Sequence, residues 1–320
     1  VSEIGFGAWT IGLDWWGKKI EEDEAKRMLK KAYDLGINFF ETADMYGKGI
    51  SEKIIGDVFK GMRNEIVIST KYGYDFAGVE QIGHSELPQR FDPAFTRKAL
   101  SASLERLQTD YVDSYGMHTP KLNHIRNDEI FNTFDELIKE GKIRSSQVAL
   151  GPAIGWTQEG LEAMERKSVS AIQTVYNILE QTPGNELIEK AEKQNVGILV
   201  RVPDASGILT GKVKAETVIP SNDHRKDRKQ EWRQEALQKV EQFRPIAEHS
   251  GLNITEFAIK FILSKKSIAS VLPTVVSVEE IEMFAAISDG RYLNSSDMKE
   301  IDELYNTWPS YELKATPQAS

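Results

Sequence analysis

The stretch Ile66-Val67-Ile68-Ser69-Thr70-Lys71 is a short apolar run that ends in a lysine. Its length and its β-branched residues favour a buried strand. Upstream, apolar residues recur at helical spacing until Gly36 stops the pattern. Downstream, Asp92-Pro93 is typical of a helix start, with an N-cap followed by a first-turn proline. A strand between two helices is the repeating unit of α/β folds with parallel strands.

The same unit recurs along the whole chain without a break in composition. The strand candidates are residues 4–9, 37–41, 65–71, 111–118, 143–150, 169–175, 196–202 and 268–273. Each is followed by a helical pattern. A length of 320 residues suits one (β/α)8 barrel, which often has about 250 residues plus insertions. The sequence therefore predicts a single (β/α)8 TIM barrel domain over residues 1–320.

Two segments depart from this alternation. Residues 212–232 are polar and include the charge run Asp223–Lys229, which predicts a long loop after the seventh strand, on the face where barrel active sites lie. A solvated loop without a function is the plainer interpretation of that run. At the other end, we expect a C-terminal helix around residues 296–306 and a loosely held tail at 309–320.

Composition narrows the classes of function. There are 40 basic and 49 acidic residues, a net charge of -9, so no nucleic-acid partner is expected. The absence of cysteine excludes disulfides and thiolate metal sites, and it fits an intracellular protein. No apolar run approaches the roughly 18 residues of a membrane span, and we expect no signal peptide. We expect a cytoplasmic protein with a small-molecule substrate, no membrane contact and no metal. The oligomeric state does not follow from the sequence.

Four separated polar residues lie at or just after predicted strand ends: Glu41, Tyr46, Lys71 and His118. The carboxyl ends of barrel strands meet on one face, so these side chains are expected to converge. A phenol has a pKa of roughly 10, and a nearby cation brings it closer to working pH by stabilising the phenolate. This combination suits proton donation to a carbonyl oxygen.

The spacing and context resemble the aldo-keto reductase family, in which these positions are normally Asp, Tyr, Lys and His. The resemblance covers nearly the whole chain. It implies NAD(P)H-dependent reduction of aldehydes or ketones, sugars included, with Tyr46 as general acid and as base in the reverse direction. Glu41 departs from the pattern, because its side chain is one methylene longer and displaces the carboxylate unless the backbone compensates. Asp44 is a weaker candidate for that role, since five residues before Tyr46 lies Glu41.

The resemblance also implies an extended nicotinamide dinucleotide across the barrel end, and no G-x-G-x-x-G turn suggests a Rossmann domain instead. Gln173 matches the glutamine that contacts the nicotinamide amide. Residues 205–212 match the pyrophosphate loop, although an ordinary turn is the alternative for them. The remaining cofactor candidates implied by the match are Ser206, Gly207, Leu209, Gly211, Lys212 and Thr274.

Several cofactor positions differ from the family. The usual Ser-Asn pair is Ala149-Leu150, and the usual stacking aromatic is Arg201, whose planar guanidinium can also stack. After the eighth strand no cation is present, and Glu280 would repel a 2'-phosphate. The resemblance to the family thus favours NADPH as the cofactor. The residues of this chain, in contrast, predict that NADH binds at least as tightly as NADPH. Cations of the long loop, among them Arg225 and Arg228, could still supply the missing charge.

Aromatic residues follow several strands and suggest the mouth of a pocket for a small aldehyde or ketone. The candidates are Trp15, Trp16, Tyr72, Tyr74 and Trp156. For each of these residues, a structural role in covering the edge of the barrel is an equally good interpretation.

Two other functions stay open. One is a nucleotide-binding regulatory subunit with the same barrel and weak catalysis, which Glu41 and Ala149-Leu150 allow. The other is a phosphate-binding barrel isomerase that uses Lys71 and Glu41, which leaves Tyr46 and His118 without a role.

Overall fold

A computed structural model describes residues 1–13, 16–76, 87–151, 156–228 and 230–308, with the Asp227 side chain excepted. Eight parallel strands follow one another around a single sheet in chain order. They are Phe6–Gly7 (β1), Phe39–Glu41 (β2), Val67–Tyr72 (β3), Val112–His118 (β4), Ile143–Ala149 (β5), Val169–Val175 (β6), Gly197–Arg201 (β7) and Ile268–Leu272 (β8). A parallel bridge between Ile4 and Val271 brings the two edges together. The predicted (β/α)8 barrel is confirmed.

Helices surround the barrel and cover its outer face. They are Trp9–Gly12 (α1), Glu22–Asp34 (α2), Ile50–Val58 (α3), Pro93–Leu107 (α4), Leu122–Ile125 (α5), Asp128–Lys139 (α6), Thr157–Ala163 (α7), Gly184–Gln194 (α8), Gln230–His249 (α9), Ile254–Leu263 (α10), Val278–Ile287 (α11) and Ser295–Thr307 (α12). α4 begins as predicted, because the Asp92 side chain accepts a hydrogen bond from the Phe95 backbone N–H at 3.0 Å. In the ranges described, no helix is both long and apolar enough to cross a membrane.

Some boundaries differ from the sequence-based ones. β1 is shorter than 4–9, because α1 already begins at Trp9. The loop after β7 contains two short 3₁₀ turns, Ile208–Thr210 and His224–Asp227. α9 begins at Gln230, so residues 230–232 are helical rather than loop. The C-terminal helix matches its expected position closely. The tail at 309–320 lies outside the described residues.

The loop after β7 lies against the segment that follows β1. Trp16 forms an antiparallel bridge with Asp223. The Trp16 ring lies 5.0 Å from that of His224, and the Arg225 guanidinium lies 4.4 Å from the Trp16 ring centre. Trp9 joins the same cluster at 5.2 Å from His224. The loop therefore crosses the carboxyl end of the barrel from β7 to β1.

Candidate active site

Glu41 and Lys71 form an ion pair inside the barrel, with side chains only 4% and 1% exposed. The Lys71 ammonium also donates to the Thr42 carbonyl at 2.7 Å. Gln173 Nε2 donates to Glu41 Oε1 at 2.9 Å. Burial lowers the pKa of Lys71, and the Glu41 carboxylate opposes this effect. The longer side chain of Glu41 therefore still reaches the lysine.

Tyr46 stands beside this pair. The Lys71 ammonium lies 4.8 Å from the centre of the Tyr46 ring, and the His118 ring meets it edge-on at 5.9 Å. Loss of water around the phenol raises the pKa of Tyr46 well above its usual value, and Glu41 adds to this rise, while Arg201 acts against it. Burial therefore outweighs the lowering effect of the neighbouring cation on the pKa of Tyr46. Tyr46 keeps its proton and can donate it.

His118 ends β4 and is buried. Its Nδ1 has no hydrogen-bond partner among the described residues, and the Tyr74 ring lies 5.1 Å away. Burial first, then the charges of Lys71 and Arg201, hold the pKa of His118 well below its ordinary value. The imidazole is therefore neutral and can donate one hydrogen bond to a ligand oxygen.

Arg201 ends β7 on the same face. Its Nη2 donates to the backbone carbonyls of Leu150 and Gly151, the latter at 2.6 Å. Its Nε is buried without a partner in the described part of the chain. Burial lowers the pKa of Arg201, and Tyr46, Glu41 and Tyr74 oppose this shift. A guanidinium nevertheless remains protonated in proteins, so Arg201 brings a positive charge to the site.

The loop matched to a pyrophosphate site has an unusual backbone. Ala205, Ser206 and Gly207 have φ values of 49°, 60° and 89°, all in the left-handed region. The backbone N–H groups of Ala205, Gly207 and Ile208 donate to carbonyls of the same loop, which closes this turn. Asp204, directly before them, is buried, its Oδ1 has no partner among described residues, and burial raises its pKa to about 6.

Glu280 and Lys212 meet across the ends of β7 and β8. The Lys212 ammonium lies 2.8 Å from Glu280 Oε1. Glu280 Oε2 also accepts from the Val276 backbone N–H at 2.8 Å. The lysine predicted to hold phosphate is thus paired with the carboxylate predicted to repel it.

The loop cations are similarly engaged. Arg225 binds both carboxylate oxygens of Asp223, and Arg228 binds both of Glu180. These four side chains neutralise one another in pairs. Only a rearrangement of the loop would free the arginines for a ligand phosphate.

The aromatic candidates separate into distinct groups. Tyr72 is fully buried, its hydroxyl bonds Thr96 of α4 at 2.7 Å, and its ring stacks on Tyr115. Successive strand residues face opposite sides, so Tyr72 points to the helices because Lys71 points inward. The prediction of Tyr72 as a pocket residue is therefore wrong.

The other aromatic candidates lie nearer the carboxyl end. Trp16 belongs to the cluster with Trp9 and His224. Trp156 packs closely on Gly151 and lies 5.3 Å from the Lys121 ammonium. Trp15 lies outside the described residues.

Sequence reasoning missed three residues of this face: Trp9, His224 and Asp204. Trp9 also reaches Thr274, since its Nε1 donates to Thr274 Oγ1 at 3.4 Å. Trp9 was assigned to a strand, and His224 was part of a charge run, so neither carried a separate signal. The acidic Asp204 directly before Ala205-Ser206-Gly207 was the one visible clue.

The buried polar atoms at the carboxyl end of the barrel suit a dinucleotide ligand. His118 Nδ1, Arg201 Nε and Asp204 Oδ1 are buried polar atoms without partners in the described ranges. Buried polar atoms normally find partners, so these three suit a polar ligand.

A model of the aldo/keto reductase family matches residues 3–306. The chain therefore belongs to this family of oxidoreductases, and the resemblance seen in the sequence is confirmed.

Individual relatives are distant but span nearly the whole chain. The NADH-specific methylglyoxal reductase of Escherichia coli is 28% identical, over 93% of this chain and 92% of that protein. An aldo-keto reductase of Bacillus subtilis, YhdN, is 29% identical over 95% and 89%. The solved glycerol dehydrogenase of Gluconobacter oxydans has a TM-score of 0.82 at 25% identity, covering 96% of this chain and 92% of that one. The holo form of an aldo-keto reductase from Bacillus halodurans has a TM-score of 0.78 at 26% identity, with 98% and 95% coverage.

Proposed function

We propose that the protein reduces small aldehydes or ketones to alcohols with a nicotinamide dinucleotide, and that Tyr46 is the proton donor. The observation that carries this proposal is the neutral Tyr46 phenol beside the Lys71–Glu41 pair and the neutral His118. A protonated acid, a cation to stabilise its conjugate base and a neutral hydrogen-bond donor meet at one point.

The residues have separate roles. A bound reduced nicotinamide supplies a hydride to the carbonyl carbon. Tyr46 gives its proton to the carbonyl oxygen, and Lys71 stabilises the phenolate left behind. Glu41 holds Lys71 in place, and His118 orients the substrate oxygen through a hydrogen bond. In the reverse direction Tyr46 is the base.

In this proposal the residues that would hold the cofactor lie at or after the ends of β6, β7 and β8. They are Gln173, Arg201, Ser206, Gly207, Leu209, Gly211, Lys212, Thr274 and Glu280. Glu280 is an acceptor for ribose hydroxyls, and it repels a 2'-phosphate. We propose that NADH binds at least as tightly as NADPH. The pairing of Lys212, Arg225 and Arg228 with carboxylates supports this choice.

Two measurements test the proposal. Titration with NADH and NADPH at low and high salt, followed by tryptophan fluorescence, gives both dissociation constants. An NADPH preference above about tenfold, roughly 1.4 kcal/mol, that weakens with salt would contradict the NADH assignment. Steady-state turnover with a panel of small aldehydes and ketones tests the reaction itself.

A nucleotide-binding regulatory subunit with weak catalysis is the second candidate. The observation that favours it is Arg201, which occupies the Leu150 and Gly151 carbonyls next to the position where the family's carboxamide-binding pair is missing. Tight NADH binding without turnover of any carbonyl substrate would support this alternative over the reductase.

A further inference from the structure

The positive charge of Arg201 has no carboxylate partner among the described residues. Its Nη2 donates to two uncharged backbone carbonyls, those of Leu150 and Gly151. This sets it apart from Lys71, Lys212, Arg225 and Arg228, each of which pairs with an acidic side chain.

The groups around Arg201 do not cancel its charge. Lys71 and Glu41 balance each other, Tyr46 keeps its proton, and His118 is neutral. Burial also raises the pKa of Asp44 well above its usual value, which favours its uncharged form. Arg201 therefore contributes a positive charge that no ion pair among the described residues balances.

A hydride passes directly between a nicotinamide ring and the carbonyl carbon, and Tyr46 must reach the oxygen on that same carbon. Arg201 donates to the Leu150 carbonyl, and the Leu150 N–H donates to the Gln173 carbonyl at 2.9 Å. The Gln173 side chain in turn donates to Glu41. These contacts place Arg201 beside the Glu41–Lys71 pair, so its charge would also act on a ring bound there. The ring is uncharged in the reduced cofactor and positively charged in the oxidised cofactor. Like charges in a site poor in water repel strongly.

Building on the proposed function, we infer that Arg201 makes the protein bind reduced nicotinamide dinucleotide in preference to the oxidised form. The pyrophosphate carries the same charge in both forms, so any effect of Arg201 on it cancels in the ratio of the two dissociation constants. That ratio therefore isolates the interaction with the ring. Weak binding of the oxidised form also eases its release after reduction.

The test compares dissociation constants of NADH and NAD⁺ in the full chain. Fluorescence gives the NADH value, and displacement of NADH gives the NAD⁺ value. Arg201→Gln removes the charge and keeps an amide donor for the two carbonyls, and Arg201→Met is a second neutral variant. Arg201→Lys keeps the charge. Arg244→Gln, on the exposed face of α9, controls for the loss of one surface cation.

We expect the unaltered protein to bind NADH more than tenfold tighter than NAD⁺. The ratio should fall about tenfold in Arg201→Gln and Arg201→Met, and stay within about threefold of the original in Arg201→Lys and Arg244→Gln. A ratio near one in the unaltered protein, or an unchanged ratio in a neutral variant that binds both forms, would overturn the inference. If the unaltered protein binds neither form, the proposed function fails instead.

Discussion

The Glu41 carboxylate is shared between Lys71, with which it forms an ion pair, and Gln173, which donates to it at 2.9 Å. Glu41 is longer than the aspartate that the family normally has at this position, yet it keeps the ion pair with Lys71. It also engages the Gln173 side-chain nitrogen, whereas no hydrogen bond to the Gln173 side-chain oxygen is seen among the described residues.

Glu41→Gln should destabilise the protein by about 3–5 kcal/mol, because it leaves the buried Lys71 ammonium without a counter-charge. Turnover should fall as well. Glu41→Asp should retain most of the stability and most of the turnover. Urea unfolding measures the stability, and steady-state rates measure the turnover. Glu189→Gln, which breaks an exposed pair with Lys193, should leave stability nearly unchanged. Equal stability and activity in all four proteins would show that the Glu41–Lys71 pair is unimportant.

Tyr46→Phe should reduce kcat by roughly 10²–10⁴, because it removes a positioned general acid. The dissociation constant for cofactor should stay within a few-fold. Tyr72→Phe is the matched control: it removes a hydroxyl of the neighbouring strand that faces Thr96 and the helices, so kcat should persist. Near-normal turnover in Tyr46→Phe would remove Tyr46 from the mechanism.

Glu280→Arg should strengthen NADPH binding about tenfold or more, since it replaces a repulsive carboxylate with a cation and releases Lys212. Glu279→Arg, on the adjacent exposed position of α11, is the control and should act weakly. Dissociation constants for NADPH and NADH at low salt provide the measurement. If both variants gain equally, the effect is long-range attraction rather than a contact at Glu280.

Asp204→Asn should stabilise the protein at neutral pH. Burial raises the pKa of Asp204 to about 6 from 3.8. The folded state therefore holds this proton more firmly than the unfolded state, and stability declines as pH rises from about 4 to 6. The variant lacks this decline, so its Tm should exceed that of the unaltered protein at pH 7–8 and approach it near pH 4. A variant that is equally destabilised at both pH values would contradict the assignment.

The sequence by itself determined the barrel and the convergence of Glu41, Tyr46, Lys71 and His118. Both depend on local regularities: alternation of apolar strands and helical patterns, and the rule that barrel strands end on one face. The resemblance to the aldo-keto reductases followed from those four positions and from residues 205–212.

Only the tertiary structure decided which charges are paired and which rings reach the mouth. The pKa of Tyr46 depends on how much water its neighbours exclude, and the packing of Trp9 on His224 joins segments far apart in the chain. Tyr72 looked like a pocket residue until the inward direction of Lys71 assigned it to the opposite face. Among the described residues Arg201 has no acidic partner, because it donates to backbone carbonyls of the loop after β5. The burial and the charge pairing of these side chains depend on contacts between segments that are distant in the sequence. Local sequence patterns do not predict such contacts.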